Sequence, residues 1–250
     1  MKREWSAVVF AMAFPTVMTW LYFVVLARPI SRTPIEDSSQ SSANNWAQAA
    51  YAAGKAIQFS FPLLYLVLAE PTSLQPRRPH FKGIGLGIGF GLLVGVGMVA
   101  LYSVGLENWL AGTGAATMIR LKIEEFNAAS PGRYAALASF LAVAHSLLEE
   151  YYWRWFVFGR LRRLVSIPTA IALSSLAFMA HHVVVLGRFF PNDFWSAAVP
   201  LSLCIAMGGA FWAWLYNRSG SIYATWVSHL LVDAAIMAVG YDMVFLGKAG

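Results

Sequence analysis

The feature that most constrains this chain is a succession of apolar runs, each about 20 residues or longer, that fills most of its length. A helix rising about 1.5 Å per residue needs roughly 20 such residues to cross the ~30 Å hydrocarbon core of a bilayer. The runs are Trp5–Leu26, about Trp46–Ala69, Gly83–Leu106, Ile167–Gly187, Ser196–Tyr216 and Ser221–Gly240. A further helix starts at Ser130-Pro131, a capping residue followed by a proline suited to the first turn, and runs to about Phe158. Lipid offers the backbone no hydrogen-bond partner, so runs of this kind become helices. Only 12% of residues are charged and 58% are hydrophobic, whereas a soluble domain carries about 25% charged residues. The expectation is an all-α, polytopic membrane helical bundle of about seven transmembrane helices, forming one domain over residues 1–250.

Residues 108–129 are too polar to span. Ala116, Ile119, Ile123 and Phe126 form one stripe while Arg120, Lys122, Glu124 and Glu125 are polar, the pattern of an amphipathic helix lying at the interface. Lys2-Arg3 ahead of the first run resemble the head of a signal peptide. Trp5–Leu26 nevertheless outruns the roughly 7–15 residues of a signal core, so it reads as the first span. Gly83, Gly87, Gly91 and Gly95 recur every fourth residue and offer a smooth face for close helix packing. Gly95-Val96-Gly97-Met98-Val99-Ala100 has the spelling of a dinucleotide fingerprint, but no strand precedes it, which removes it. Polar loops are expected at Arg28–Asn45 and Glu70–Lys82.

The net charge of +6 needs no nucleic acid to explain it. With the N-terminus inside, Lys2, Arg3, Arg77, Arg78, Lys82, Arg160, Arg162, Arg163 and Arg218 fall on inner segments and Arg28, Arg32, Arg120, Lys122, Arg133, Arg188 and Lys248 on outer ones. The preference is modest, but the much shorter inner loops turn it into a higher basic density inside. The expected location is the cell membrane, multi-pass, with a cytoplasmic N-terminus. The single Cys204 excludes a disulfide framework and any multi-cysteine zinc site.

Against this apolar background, Glu149, Glu150 and Arg154 in the fourth helix and Asp233 in the last are out of place. Each charge near a helix centre costs on the order of 2.5–3.5 kcal/mol, so something must offset them, and function is the default reading. Glu150 and Arg154 are spaced i,i+4 and can pair; Glu149 lies about 100° round the helix and lacks that partner. His229 and Asp233 share a face by the same spacing. The rise per residue puts Glu149 about 16 Å, His229 about 14 Å and His182 about 24 Å from the inner side, levels that tilt and loop length can reconcile, so two carboxylates and two imidazoles are expected to meet near mid-membrane. His145 and His181 read as packing residues, and the Glu150–Arg154 pair is equally compatible with a purely structural role.

At these residues the pattern resembles the CPBP (Abi) intramembrane proteases, the family of the type II CAAX prenyl endopeptidases and bacteriocin-processing relatives. Its EExxxR motif is matched by Glu149-Glu150-Tyr151-Tyr152-Trp153-Arg154, its FxxxH motif by Phe178 and His182, and its HxxxN/D motif by His229 and Asp233. The resemblance covers residues 130–240. It implies an intramembrane endopeptidase acting on a membrane-associated protein or peptide within the bilayer. By that likeness Glu149 activates water with help from His182, His229 and Asp233 hold the oxyanion, and Glu150, Arg154 and Phe178 orient the rest. Two departures stand out: Asp233 where Asn is common, and a bulky aromatic stretch between the acids and Arg154. No cofactor is required by this scheme, although Glu149, His182 and His229 could hold zinc with one position left for water. The other readings are a non-catalytic membrane adaptor on the same scaffold and a proton-coupled carrier, the latter weakened by the absence of matching half-chain repeats.

Overall fold

The computed structural model describes residues 2–26, 38–70 and 80–246. They form a helical bundle without strands. In chain order the helices are α1 (Lys2–Val25), α2 (Ser38–Ala69), α3 (Ile84–Gly112), α4 (Ala115–Glu125), α5 (131–164), α6 (Ile167–Phe189), α7 (Phe194–Ser219) and α8 (Ile222–Leu246). By length and composition α1, α3, α6, α7, α8 and the Trp46–Ala69 part of α2 can each cross a membrane. The chain is a multi-pass membrane protein. The seventh expected span, α5, is helical throughout but carries the charges, and it does not reach the apolarity of the other six.

Several boundaries move. The loop expected at Arg28–Asn45 is helical from Ser38 on, while residues 28–37 lie outside the described residues, as do residues 71–79 of the second loop and Lys248. The third span absorbs the start of the segment expected at the interface, leaving α4 as the interfacial helix. Ala115 and Ile123 of α4 are buried and Ala116 and Ile119 pack beside them, but Phe126 lies beyond the helix and is exposed, so it does not belong to the stripe. Lys122 bridges Glu125 at 2.8 Å and donates to the Tyr22 hydroxyl at 2.7 Å, tying α4 to α1. Burial pushes the Glu125 carboxyl up, but hydrogen bonds from Lys122 and Tyr22 outweigh it and hold the group below the usual carboxylate range.

The glycine stripe seats α3 on α8. A Cβ on Gly87 would collide with the Ala224 carbonyl oxygen, one on Gly91 would stand 2.9 Å from both Leu231 and the Ser228 carbonyl, and one on Gly95 would meet Ala235 at 3.3 Å. Gly85, Gly89 and Gly97 face open space. Such an approach of two backbones compensates in lipid for the lack of a hydrophobic drive between helices.

The other wall of α8 is held by α5: Trp226 donates its indole N–H to the Val143 carbonyl at 2.9 Å, and the Tyr134 hydroxyl donates to the Met237 carbonyl at 2.9 Å. Ser130 caps α5 with Pro131 in the first turn, as the sequence predicts, and Ser166 with Pro168 does the same for α6. At its far end Arg160 pairs with Glu70 and approaches Glu4 at 3.7 Å, gathering α1, α2 and α5 at one edge of the bundle. The main core is built from Tyr152, Trp153, Phe156, Val157, Phe158 and Leu161 of α5 against α1, α6 and α7. The helix with the most charge in its middle is therefore also a central one.

Candidate active site

Two widened, π-helical stretches, Phe140–His145 and Tyr151–Phe158, bracket the short α-helical segment Ser146–Glu150. Such interruptions of the regular ladder are uncommon and recur at functional sites. The segment between them presents both carboxylates inward: Glu149 and Glu150 are buried, as is Arg154.

Arg154 Nε approaches Glu150 Oε2 at 3.2 Å, which is the pair the spacing predicts. The guanidinium also lies over Phe178 and Trp212, 4.8 and 5.2 Å from the ring centroids. Those faces partly offset the burial of the cation. Glu150 does more than pair with Arg154. Its Oε1 accepts a hydrogen bond from His229 Nδ1 at 2.9 Å, so one carboxylate links the arginine of α5 to the histidine of α8. His229 is thereby turned so that Nε2 faces Glu149 Oε2 at 3.7 Å and Asp233 Oδ1 at 3.5 Å. Trp212 stacks on the same imidazole at 4.1 Å and is itself anchored by its indole N–H to Ser228 Oγ at 3.0 Å.

Glu149 lies in the middle of three imidazoles. His145 Nε2 is 4.0 Å away, His181 Nε2 3.7 Å and His229 Nε2 3.7 Å. None of these is a hydrogen bond by distance, and among the described residues the carboxylate makes no closer polar contact. His182 is half-buried, its ring 4.0 Å from that of His181, and its Nδ1–H donates to the Phe178 carbonyl at 2.9 Å. That bond leaves Nε2 of His182 as the nitrogen with a free lone pair. Asp233 and His145 are the more open members, with 21% and 24% of their side chains exposed against 4% for Glu149, so they flank the way in.

The structure changes two expectations about histidine. His181, read from sequence as packing, is buried directly against Glu149, with Trp153 parallel to its ring at an interplanar angle of 3°. The metal-capable group among the described residues is Glu149, His181 and His182, whose donor atoms all lie within 4.8 Å of one another, and not Glu149, His182 and His229. The reason is the Glu150 contact, which commits the Nδ1 edge of His229 to α5 and points its other nitrogen at Asp233 as well. A carboxylate and two imidazoles fit zinc chemistry in kind. The supporting bonds are uneven: His182 has its Nδ1 fixed by a carbonyl, whereas Nδ1 of His181 is buried without a hydrogen-bond partner among the described residues.

The aromatic stretch between the acids and Arg154 divides in two. Tyr152 and Trp153 are fully buried, Tyr152 donating to the Ala11 carbonyl at 2.8 Å, while Tyr151 and Trp155 stack on each other along the outer side of α5. Only Trp153 of this stretch borders the site.

Sequence reasoning missed Lys55. It stands between Tyr51 and Phe59 on α2, its ammonium 5.6 Å from each ring, and Phe59 in turn meets the His145 ring edge-on at 6.0 Å. Lys55 interacts electrostatically with Glu149, His145 and His181 and, among the described residues, comes within 4.0 Å of no carboxylate. A charge at that depth costs on the order of 2.5–3.5 kcal/mol, and it is the one charged side chain of Trp46–Ala69, which was the available signal. Trp212 was also missed, because nothing in its local sequence tells which face of α7 meets His229.

No curated protein and no solved structure matches the chain. Residues 131–235 match the family described as type II CAAX prenyl endopeptidase Rce1-like. The matched segment opens with the first residue of α5 and closes just after Asp233, so it holds Glu149, Glu150, Arg154, Phe178, His181, His182, His229 and Asp233, while Lys55 stands outside it. Over this segment, which is less than half of the chain, the protein is similar to the CPBP/CAAX protease family.

Proposed function

We propose that this protein is an intramembrane endopeptidase that hydrolyses a peptide bond of a membrane-associated protein or peptide, with Glu149 as the base that activates water. The observation that carries the reading is a buried carboxylate surrounded by imidazoles yet bonded to none of them, at the point where α5, α6 and α8 meet. Such a group keeps its oxygens free to take a proton. A positioned base of this kind contributes about 10²–10⁴-fold in rate.

In this scheme Glu149 removes a proton as the water oxygen attacks the peptide carbonyl carbon. The same proton passes to the leaving amine when the C–N bond breaks. His229 faces the developing oxyanion with Nε2, held there by its bond to Glu150, and Asp233 orients it from the open side. In a water-poor site such a donor is worth more than in solution. Arg154 balances Glu150, and His181 and His182 border the water position from α6. The grouping of Glu149, His181 and His182 favours a second reading, in which those residues hold a zinc ion that supplies Lewis-acid activation of water. The unsupported Nδ1 of His181 weighs against it. The cell membrane, with the N-terminus in the cytoplasm, suits the cluster of Glu4, Glu70 and Arg160 at the same edge as Lys2, Arg3, Arg162 and Arg163.

The first test is Glu149→Gln, which removes the base at almost constant volume. Turnover of a cleavable membrane peptide is expected to fall by about 10³-fold or more with unchanged detergent melting; near-normal turnover overturns the assignment. The second test uses purified enzyme and a strong chelator. The glutamate reading expects no effect of chelation and retained activity in Asp233→Asn, since an amide can still orient His229. Reversible loss on chelation, restored by zinc, selects the metal reading instead.

A further inference from the structure

We propose that Lys55 binds a carboxylate of the peptide substrate, so that the enzyme selects peptides with a carboxylate near the scissile bond. The inference rests on the endopeptidase reading and deepens it. Its ground is an ammonium that the fold places at the site and that forms no ion pair among the described residues. Lys55 is half-buried on α2 and lies between Tyr51 and Phe59, whose rings line its stem. It is within the field of Glu149 but not paired with it, and among the described residues no other carboxylate is within ion-pair distance. His145, one of the two partly open members of the site, stands on the same side, joined through Phe59.

The other charges of the site are already matched. Arg154 answers Glu150, and His229 lies between Glu150, Glu149 and Asp233. Among the described residues of the site Lys55 is the cation without an ion pair, and it stands on the side of His145. An anion arriving beside Glu149 would be repelled by that carboxylate unless a cation met it, and Lys55 is the cation at hand. A compact ammonium with three donors suits a carboxylate whose orientation differs from one substrate to another. Depth favours a peptide over a lipid phosphate. Lys55 is about 14 Å along the helix from Trp46 at one end of the span and about 21 Å from Ala69 at the other, well inside the ~30 Å hydrocarbon core.

A substrate carboxylate has two sources, the chain end and an acidic side chain. Probes are short fluorescent apolar peptides carrying a single carboxylate, either at a free C-terminus or on one Glu with the C-terminus amidated, together with an uncharged control. Binding is measured in nanodiscs on Glu149→Gln enzyme, and on the same enzyme with Lys55→Met or Lys55→Arg. One of the two acidic probes is expected to bind about tenfold or more tightly than the control, to lose that advantage with Lys55→Met and to keep most of it with Lys55→Arg. The probe that wins identifies the source. Equal binding of all probes, or an advantage that survives Lys55→Met, overturns the proposal. So does a difference between the Lys55 enzyme and its Lys55→Met variant that is independent of peptide charge and vanishes when anionic lipid is added. If the binding pattern is as expected but enzyme with Glu149 intact cleaves none of the probes or longer membrane peptides, the endopeptidase reading falls and the Lys55 site stands.

Discussion

Helices α3 and α5 make opposite use of the bilayer. α3 is the most apolar helix, with a mean hydropathy of 2.3 over its best window, yet Leu93, Val96, Leu101 and Val104 point outward while the glycines at 87, 91 and 95 and, near its end, Tyr102 are covered. α5 carries Glu149, Glu150 and Arg154 in its middle, falls short of the apolarity of a span, and buries all three. In water the apolar helix would be central and the charged one peripheral. In lipid the tails are as apolar as leucine, so there is no gain from hiding leucine and a large one from hiding charge. Hydropathy along this chain therefore reports contact with lipid, and centrality is reported by charge.

The largest expected effect comes from breaking the charged centre. Glu150→Ala and Arg154→Ala each strand a buried partner, at about 3–5 kcal/mol, and Glu150→Ala also frees His229 from its only hydrogen bond to α5. Both single variants should melt earlier in detergent, and the double variant should lose less than the sum of the two. Unchanged melting in either single variant would show that α5 is not the charged core described here.

A smaller effect is expected on the α3 side, and it should depend on which glycine is changed. Gly91→Leu pushes α8 away at Ser228 and Leu231, beside His229, and a displacement of about 1 Å at a reacting group can cost about a hundredfold in rate. Gly89→Leu, two residues away and facing open space, should leave turnover within about twofold, since an exposed substitution disturbs stability little. Equal losses in the two variants would mean that α3 does not position the site. The smallest effect is expected at Cys204, which is exposed on α7: Cys204→Ser should be silent, and thiol reagents should not inhibit. Loss of activity there without loss of protein would call for a cysteine role that the site does not contain.

Much of this arrangement was legible in the order of residues. Apolar run length specifies the membrane helices, because the bilayer sets how many residues a span needs. The i,i+4 spacings specify the Glu150–Arg154 and His229–Asp233 neighbours, because a helix has a fixed period. The every-fourth glycines mark a close-packing face for the same reason. What the order of residues left open was every contact between helices. His181 and His182 differ by one position, and only the rotation of α6 against α5 brings His181 to Glu149 while keeping His182 beside it. Glu150 could be matched to Arg154 from spacing, but its bond to His229 spans two helices 79 residues apart in the chain. Lys55 and Trp212 belong to the site only because α2 and α7 are docked against it. Local period is written in the chain; the depth, rotation and neighbours of each helix follow from where buried charges find partners once lipid has taken the apolar faces.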